Sequence, residues 1–84
     1  MEKTPLDVHG LTLRQAQKVI ISNIEECYKN NINILFINHG FNNGNKIKTW
    51  CFNEIKNIKH VINVLPGPNE GITLVEIENN IKIY

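Results

Sequence analysis

Apolar side chains recur along this chain at two different intervals. Leu13, Ala16, Ile20, Ile24 and Cys27 fall three or four residues apart, the spacing that lines one face of a helix. Thr12 with Gln15 three residues on is a capping-box pair, which starts a helix by satisfying amides that have no partner inside it. Asn30-Asn31 follows, and Asn tolerates the left-handed backbone that ends a helix. A first helix over residues 13–29 is therefore predicted. Ile47, Trp50, Cys51, Ile55 and Ile58 repeat the helical interval and predict a second helix over residues 45–57. Elsewhere the apolar residues come in short runs bounded by Gly, Pro and Asn, the mark of strands. Residues 6–9 form the first, behind Pro5 and ended by Gly10. Residues 33–38 hold four consecutive large apolar side chains, which suits a central strand buried on both faces. Residues 61–65 and 72–78 make two more strands, joined by a rigid turn over 66–71. Asn79-Asn80 is expected to fold residues 81–84 back as a short edge strand.

The order strand, helix, strand, helix, strand, strand predicts a two-layer α/β sandwich, a four-stranded mixed sheet with two helices packed on it. Eighty-four residues make a single domain, 1–84, large enough to bury roughly 60% of its unfolded surface without disulfide or metal staples. No apolar stretch is long enough to cross a bilayer and no signal-peptide pattern opens the chain, so the reading is cytoplasmic with no membrane partner. Met1 favours a complete small protein over an excised piece. Cys27 and Cys51 fall on the apolar faces of the two helices, without further thiols or imidazoles at ligand spacing, and read as buried free thiols.

Candidate chemistry gathers at two strand ends. In an extended segment residues two apart share a side, so Asp7 and His9 point one way while Leu6 and Val8 anchor the other. His39 follows the apolar run 34–37 and opens the Gly- and Asn-rich segment Gly40-Phe41-Asn42-Asn43-Gly44. Ligands of open α/β sheets bind beyond the carboxyl ends of the strands. If the first two strands are parallel, both histidines leave that edge. The loop 40–44 feeds the second helix, whose unpaired amides attract anions such as phosphate. Lys46 and Lys48 flank it, which makes the local charge positive although the whole chain carries only +1. Phosphodiester cleavage needs a base, an acid and stabilisation of developing charge. Asp7 can orient His9, His9 can accept a proton from water or a ribose hydroxyl, and His39 can protonate the leaving oxygen or bind the phosphate. Phe41, a large aromatic in a polar loop, is either a base-stacking group or an anchor tucked under the helix. Trp50 belongs to an apolar stripe and reads as core. Lys56, Lys59 and His60 read as a solvated helix end.

The same residues carry a family resemblance. Leu6-Asp7-Val8-His9-Gly10 resembles the L-D-x-H-G signature of the Smr (small MutS-related) domain. His39-Gly40 through Gly44 resembles its H-G-x-G-x-G loop, and residues 67–77 resemble its closing Gly-rich turn and last strand. Asn42 stands where the family pattern has its middle glycine. The resemblance implies a sheet with two helices similar to the C-terminal domain of bacterial translation initiation factor three. It also implies endonuclease or nicking activity on DNA or cleavage of RNA, in DNA repair and recombination or in RNA and ribosome quality control. Asp7, His9 and the His39-Gly40 loop are the residues implicated. Smr domains are often the tail of larger proteins, so a MutS-type or ribosome-associated protein is an expected partner or host.

The near-neutral charge and Asn42 keep a second expectation open, a nucleic-acid-binding module that does not cleave, and a protein-interaction domain is a third. Sequence leaves RNA and DNA equal. No cofactor is required. Asp7 with Glu70 can supply oxygen ligands to a divalent cation such as magnesium, although two carboxylates on separate loops are a thin ligand set.

Overall fold

Thr12 starts the first helix as its sequence indicates. Its hydroxyl accepts from the Gln15 amide at 3.2 Å, while the Gln15 side chain accepts from the Thr12 amide at 3.0 Å. The computed structural model describes residues 5–41 and 45–80. Over them the chain runs β1 (Leu6–Asp7), α1 (Leu13–Lys29), β2 (Ile34–Asn38), α2 (Asn45–Glu54), β3 (Val61–Pro66) and β4 (Ile72–Ile77), with a 3-10 turn at Ile55–Asn57. Residues 81–84, expected as an edge strand, lie outside the described residues, as do Asn42, Asn43 and Gly44.

The four strands form one sheet in the order β1-β2-β4-β3. β1 is parallel to β2, with Leu6 opposite Ile37 and Asp7 opposite Asn38. β4 is antiparallel to both its neighbours, pairing Phe36 with Leu74 on one side and Leu65 with Leu74 on the other. Both helices pack on one face. Ala16, Ile20, Ile24 and Cys27 of α1, Ile47 and Cys51 of α2, and Ile55 just beyond it close over Leu35, Ile37, Val75 and Ile77, all at most 3% exposed. Trp50 is half-buried against this core, in keeping with its place in the apolar stripe. The two thiols are free and buried, and burial pushes Cys51 up to about 12, so it stays protonated.

Three expectations are corrected. β2 is not buried on both faces: its residues alternate between buried and half-buried, because two helices cover one side of the sheet only. Ile34, Phe36, Ile72 and Leu74 line the other side and take no part in the core cluster. β1 is two residues long rather than four, since the Leu11 amide turns back to the Val8 carbonyl and Gly10 adopts φ +82°. His60 is not solvated. Its ring, 9% exposed, lies flat on Tyr28 with centroids 3.4 Å apart, and its Nδ1 meets Glu78 Oε2 at 2.9 Å. This stack ties the last turn of α1 to the start of β3 and the end of β4, at the edge opposite the candidate site.

Candidate active site

Parallel pairing of β1 and β2 sends their carboxyl ends to one edge, and the antiparallel β3–β4 hairpin brings its turn to the same edge. Asp7 and His9, residues 39–41 after β2, the starts of both helices and residues 67–71 converge there. Leu6 and Val8 face the core, Val8 with 0% exposure, which leaves Asp7 and His9 outward on the same side.

Asp7 and His9 form a bonded pair. Asp7 Oδ1 accepts from His9 Nδ1 at 2.5 Å and from the His9 amide at 3.1 Å. The ring and the backbone amide of His9, in that order, hold the Asp7 carboxyl below its usual range, so it is ionised near neutrality. A carboxylate on Nδ1 fixes the proton there and leaves the lone pair on Nε2. Among the described residues Nε2 has no hydrogen-bond partner, and the side chains remain 65% and 54% exposed. The pair is thus an oriented imidazole base open to an incoming molecule.

His39 sits differently. The residue is 2% exposed, with Nε2 at 2.8 Å from Thr73 Oγ1 and Nδ1 at 3.2 Å from the Gly40 carbonyl. A carbonyl only accepts, so Nδ1 carries the proton and Nε2 accepts from the Thr73 hydroxyl. Burial, with a smaller push from the Lys48 charge, lowers its pKa despite the opposing bond to Gly40, and the ring is neutral at pH 7. With both nitrogens engaged inside the protein, His39 does not present a proton to the surface. This corrects the expectation of direct contact with the phosphate or leaving oxygen.

What His39 does is hold the loop. Its amide and that of Gly40 both donate to the Gly71 carbonyl, at 2.9 and 3.2 Å, and the Gly40 amide also reaches Asn38 Oδ1 at 3.1 Å. The Gly40 amide is therefore not free for an anion. Gly40 is required for another reason: its φ is +78°, and a Cβ there would stand 3.2 Å from the His9 Cβ. The second motif thus passes too close to the first for a larger residue to fit without a shift.

Phe41 is 63% exposed, with one edge of its ring against Gly71. Lys46 is exposed on the first turn of α2, beside a shallow groove shared with Leu13, Thr49 and Trp50, and Lys48 is half-buried with its charge acting on His39. Neither helix has an acidic residue in its first turn. Glu70 is exposed in the hairpin turn. Among the described residues no group of three or more His, Cys, Asp or Glu side chains could hold a metal ion. A separate depression of the surface lies by the carboxyl-terminal half of α1, lined by Ile21, Glu25, Lys29 and Ile58, and includes none of these residues. Sequence reading missed Asn38, Thr73 and Gly71, which fix the loop from below. Thr73 carried a signal, a hydroxyl at an inward position of the otherwise apolar strand 72–77.

The fold and this edge define a two-layer α/β domain with an exposed Asp–His pair where its parallel strands end. The chain belongs to the Smr domain family, whose pattern matches residues 6–78. That family is known for nuclease or nucleic-acid-binding roles. Among solved structures, the crystal structure of the Smr domain of Thermus thermophilus MutS2 superposes with a TM-score of 0.75 at 22% identity, covering 90% of this chain and 99% of that one. The fold is thus shared with a domain that forms part of a larger protein. No curated protein matches the sequence. Among the described residues no helix is long and apolar enough to cross a membrane.

Proposed function

We propose that this domain is a nucleic-acid endonuclease that cleaves phosphodiester bonds of RNA or DNA with Asp7 and His9. The observation that carries the reading is the 2.5 Å bond from His9 Nδ1 to Asp7, which leaves Nε2 facing solvent at the carboxyl ends of the strands. In the proposed step His9 Nε2 takes the proton from the attacking hydroxyl, of water or of a ribose, as its oxygen bonds to phosphorus. The bond from phosphorus to the leaving oxygen then breaks, and that oxygen takes a proton from water. Asp7 stays ionised, holds the ring in orientation and stabilises the imidazolium that forms. Lys46 and Lys48 balance charge on the phosphate, and Phe41 contacts the nucleoside beside it. Asn42, Asn43 and Gly44 are proposed phosphate contacts on the sequence argument alone. His39 and Gly40 are positioning residues, holding the loop against His9.

Cleavage of a labelled oligonucleotide tests it. His9→Ala is expected to slow cutting by about 10²- to 10⁴-fold, the usual worth of a positioned general base, and Asp7→Asn by a smaller factor, with the fold unchanged because both side chains are exposed. Variants that cut as fast as wild type would overturn the assignment. A binding module without cleavage is the second reading, favoured by the inward turn of His39, which leaves one exposed imidazole at this edge. Tight binding with no cutting in that assay is its signature.

A further inference from the structure

Phe41 stands apart from the other aromatic side chains among the described residues. Tyr28, Phe36, Trp50 and Phe52 are all at least half-buried, whereas Phe41 is 63% exposed in a polar loop. Leaving a phenyl ring in water forgoes the stabilisation that burial would bring. The ring is nevertheless supported. A Cβ added at Gly71 would lie 3.1 Å from Phe41 Cε2, so the glycine leaves room for the ring edge. Gly71 is itself buried and held by the His39 and Gly40 amides on its carbonyl and by Asn69 Oδ1 on its amide. Phe41 follows directly on Gly40, where an added Cβ would stand 3.2 Å from the His9 Cβ, so the two segments run close together.

From these observations we infer that Phe41 is a base-stacking platform that confines the site to unpaired nucleotides, of RNA or DNA, at single-stranded segments, loops and ends. The inference rests on the endonuclease reading and adds the substrate class. A phosphodiester placed at His9 Nε2 has a nucleoside on either side, and the Phe41 ring, next in the chain to the Gly40 that passes close to His9, is the exposed aromatic surface beside it. The charges set which way it lies. Lys46 and Lys48 draw the backbone toward α2, while Glu70, next to Gly71, repels phosphate from the hairpin turn. An uncharged base is what the Phe41 side accepts. In a duplex each base is already stacked and paired, so its face becomes available only after extrusion from the helix. A single strand offers it directly, and aromatic stacking of this kind tolerates any base.

The test uses the whole chain with a labelled twelve-nucleotide single strand, as RNA and as DNA, and the same strands annealed to their complements. Binding by fluorescence anisotropy and cleavage are both followed. Wild type is expected to bind the single strands at least ten-fold tighter than the duplexes at equal salt. Phe41→Ala is expected to lose about ten-fold on the single strands and little on the duplexes, Phe41→Trp to keep the affinity, and Phe41→Leu to behave like Phe41→Ala. The side chain is exposed, so these variants are expected to keep the fold, and circular dichroism checks it. The platform is overturned if Phe41→Ala matches wild type on single strands, if Phe41→Leu matches it, or if duplexes bind equally well. Should His9→Ala abolish cleavage while Phe41→Ala is silent, the endonuclease reading stands and the platform falls. No binding or cleavage of any strand by wild type overturns both.

Discussion

His9 and His39 lie at neighbouring strand ends and hold their protons on the same nitrogen, yet their surroundings give them opposite work. A carboxylate on Nδ1 leaves the His9 ring facing water with a basic nitrogen. A carbonyl on Nδ1 and a hydroxyl on Nε2 close the His39 ring inside the protein. The difference shows in stability against pH. His39 has a lowered pKa in the folded protein, so between its native and unfolded values the unfolded chain binds more protons. The stability it contributes is full above the unfolded value, about 6.5, and is lost as pH falls from there through the native value. His39→Gln, which keeps a polar side chain but cannot titrate, is expected to be less stable than wild type at pH 7.5 and to close part of that gap toward pH 5. Thermal melts across this range, with the His39 ring proton followed by NMR, provide the check. A gap that does not change with pH would remove the neutral buried ring from the account.

At the scale of elements, local signals carried furthest where they were self-contained. α1 begins and ends where the capping box and Asn30 place it, because both devices act within four residues of the helix end. Removing the box should be felt directly: Thr12→Ala is expected to cost about 1 kcal/mol, which in a domain this small lowers the melting temperature by about 4–8 °C. Scanning calorimetry reads the shift, and Thr12→Ser should recover most of it. The site was legible to the same extent. Alternation of Leu6, Asp7, Val8 and His9 is a property of four consecutive residues, and the structure keeps it. The inward turn of His39 depends on Thr73, thirty-four positions along the chain, and no local pattern contains that register. His60 was misread for a similar reason, since its partners Tyr28 and Glu78 belong to other elements. The run 34–37 announced a strand but not which of its faces the helices would cover.

For the molecule as a whole, the topology explains why motifs some thirty residues apart meet. A parallel β1–β2 pair and an antiparallel β4 put three chain reversals at one edge, and the shared Gly71 carbonyl joins two of them. At typical per-residue values the domain is held by about 4 to 12 kcal/mol, and that reserve is not spread evenly. β2 and β4 are paired along five residues, whereas β1 meets the sheet through two. Asp7 and His9 therefore ride on the outermost and shortest rung, fastened by the Val8 side chain in the core and by the bond from its amide to the Asn38 carbonyl at 2.9 Å. Fraying of that ribbon would scatter the two groups while the helices and the remaining ladder persist. In deuterium exchange the Val8 amide is expected to lose protection well before those of Leu35 and Val75, and in rising urea any cutting activity is expected to fade ahead of the helical signal.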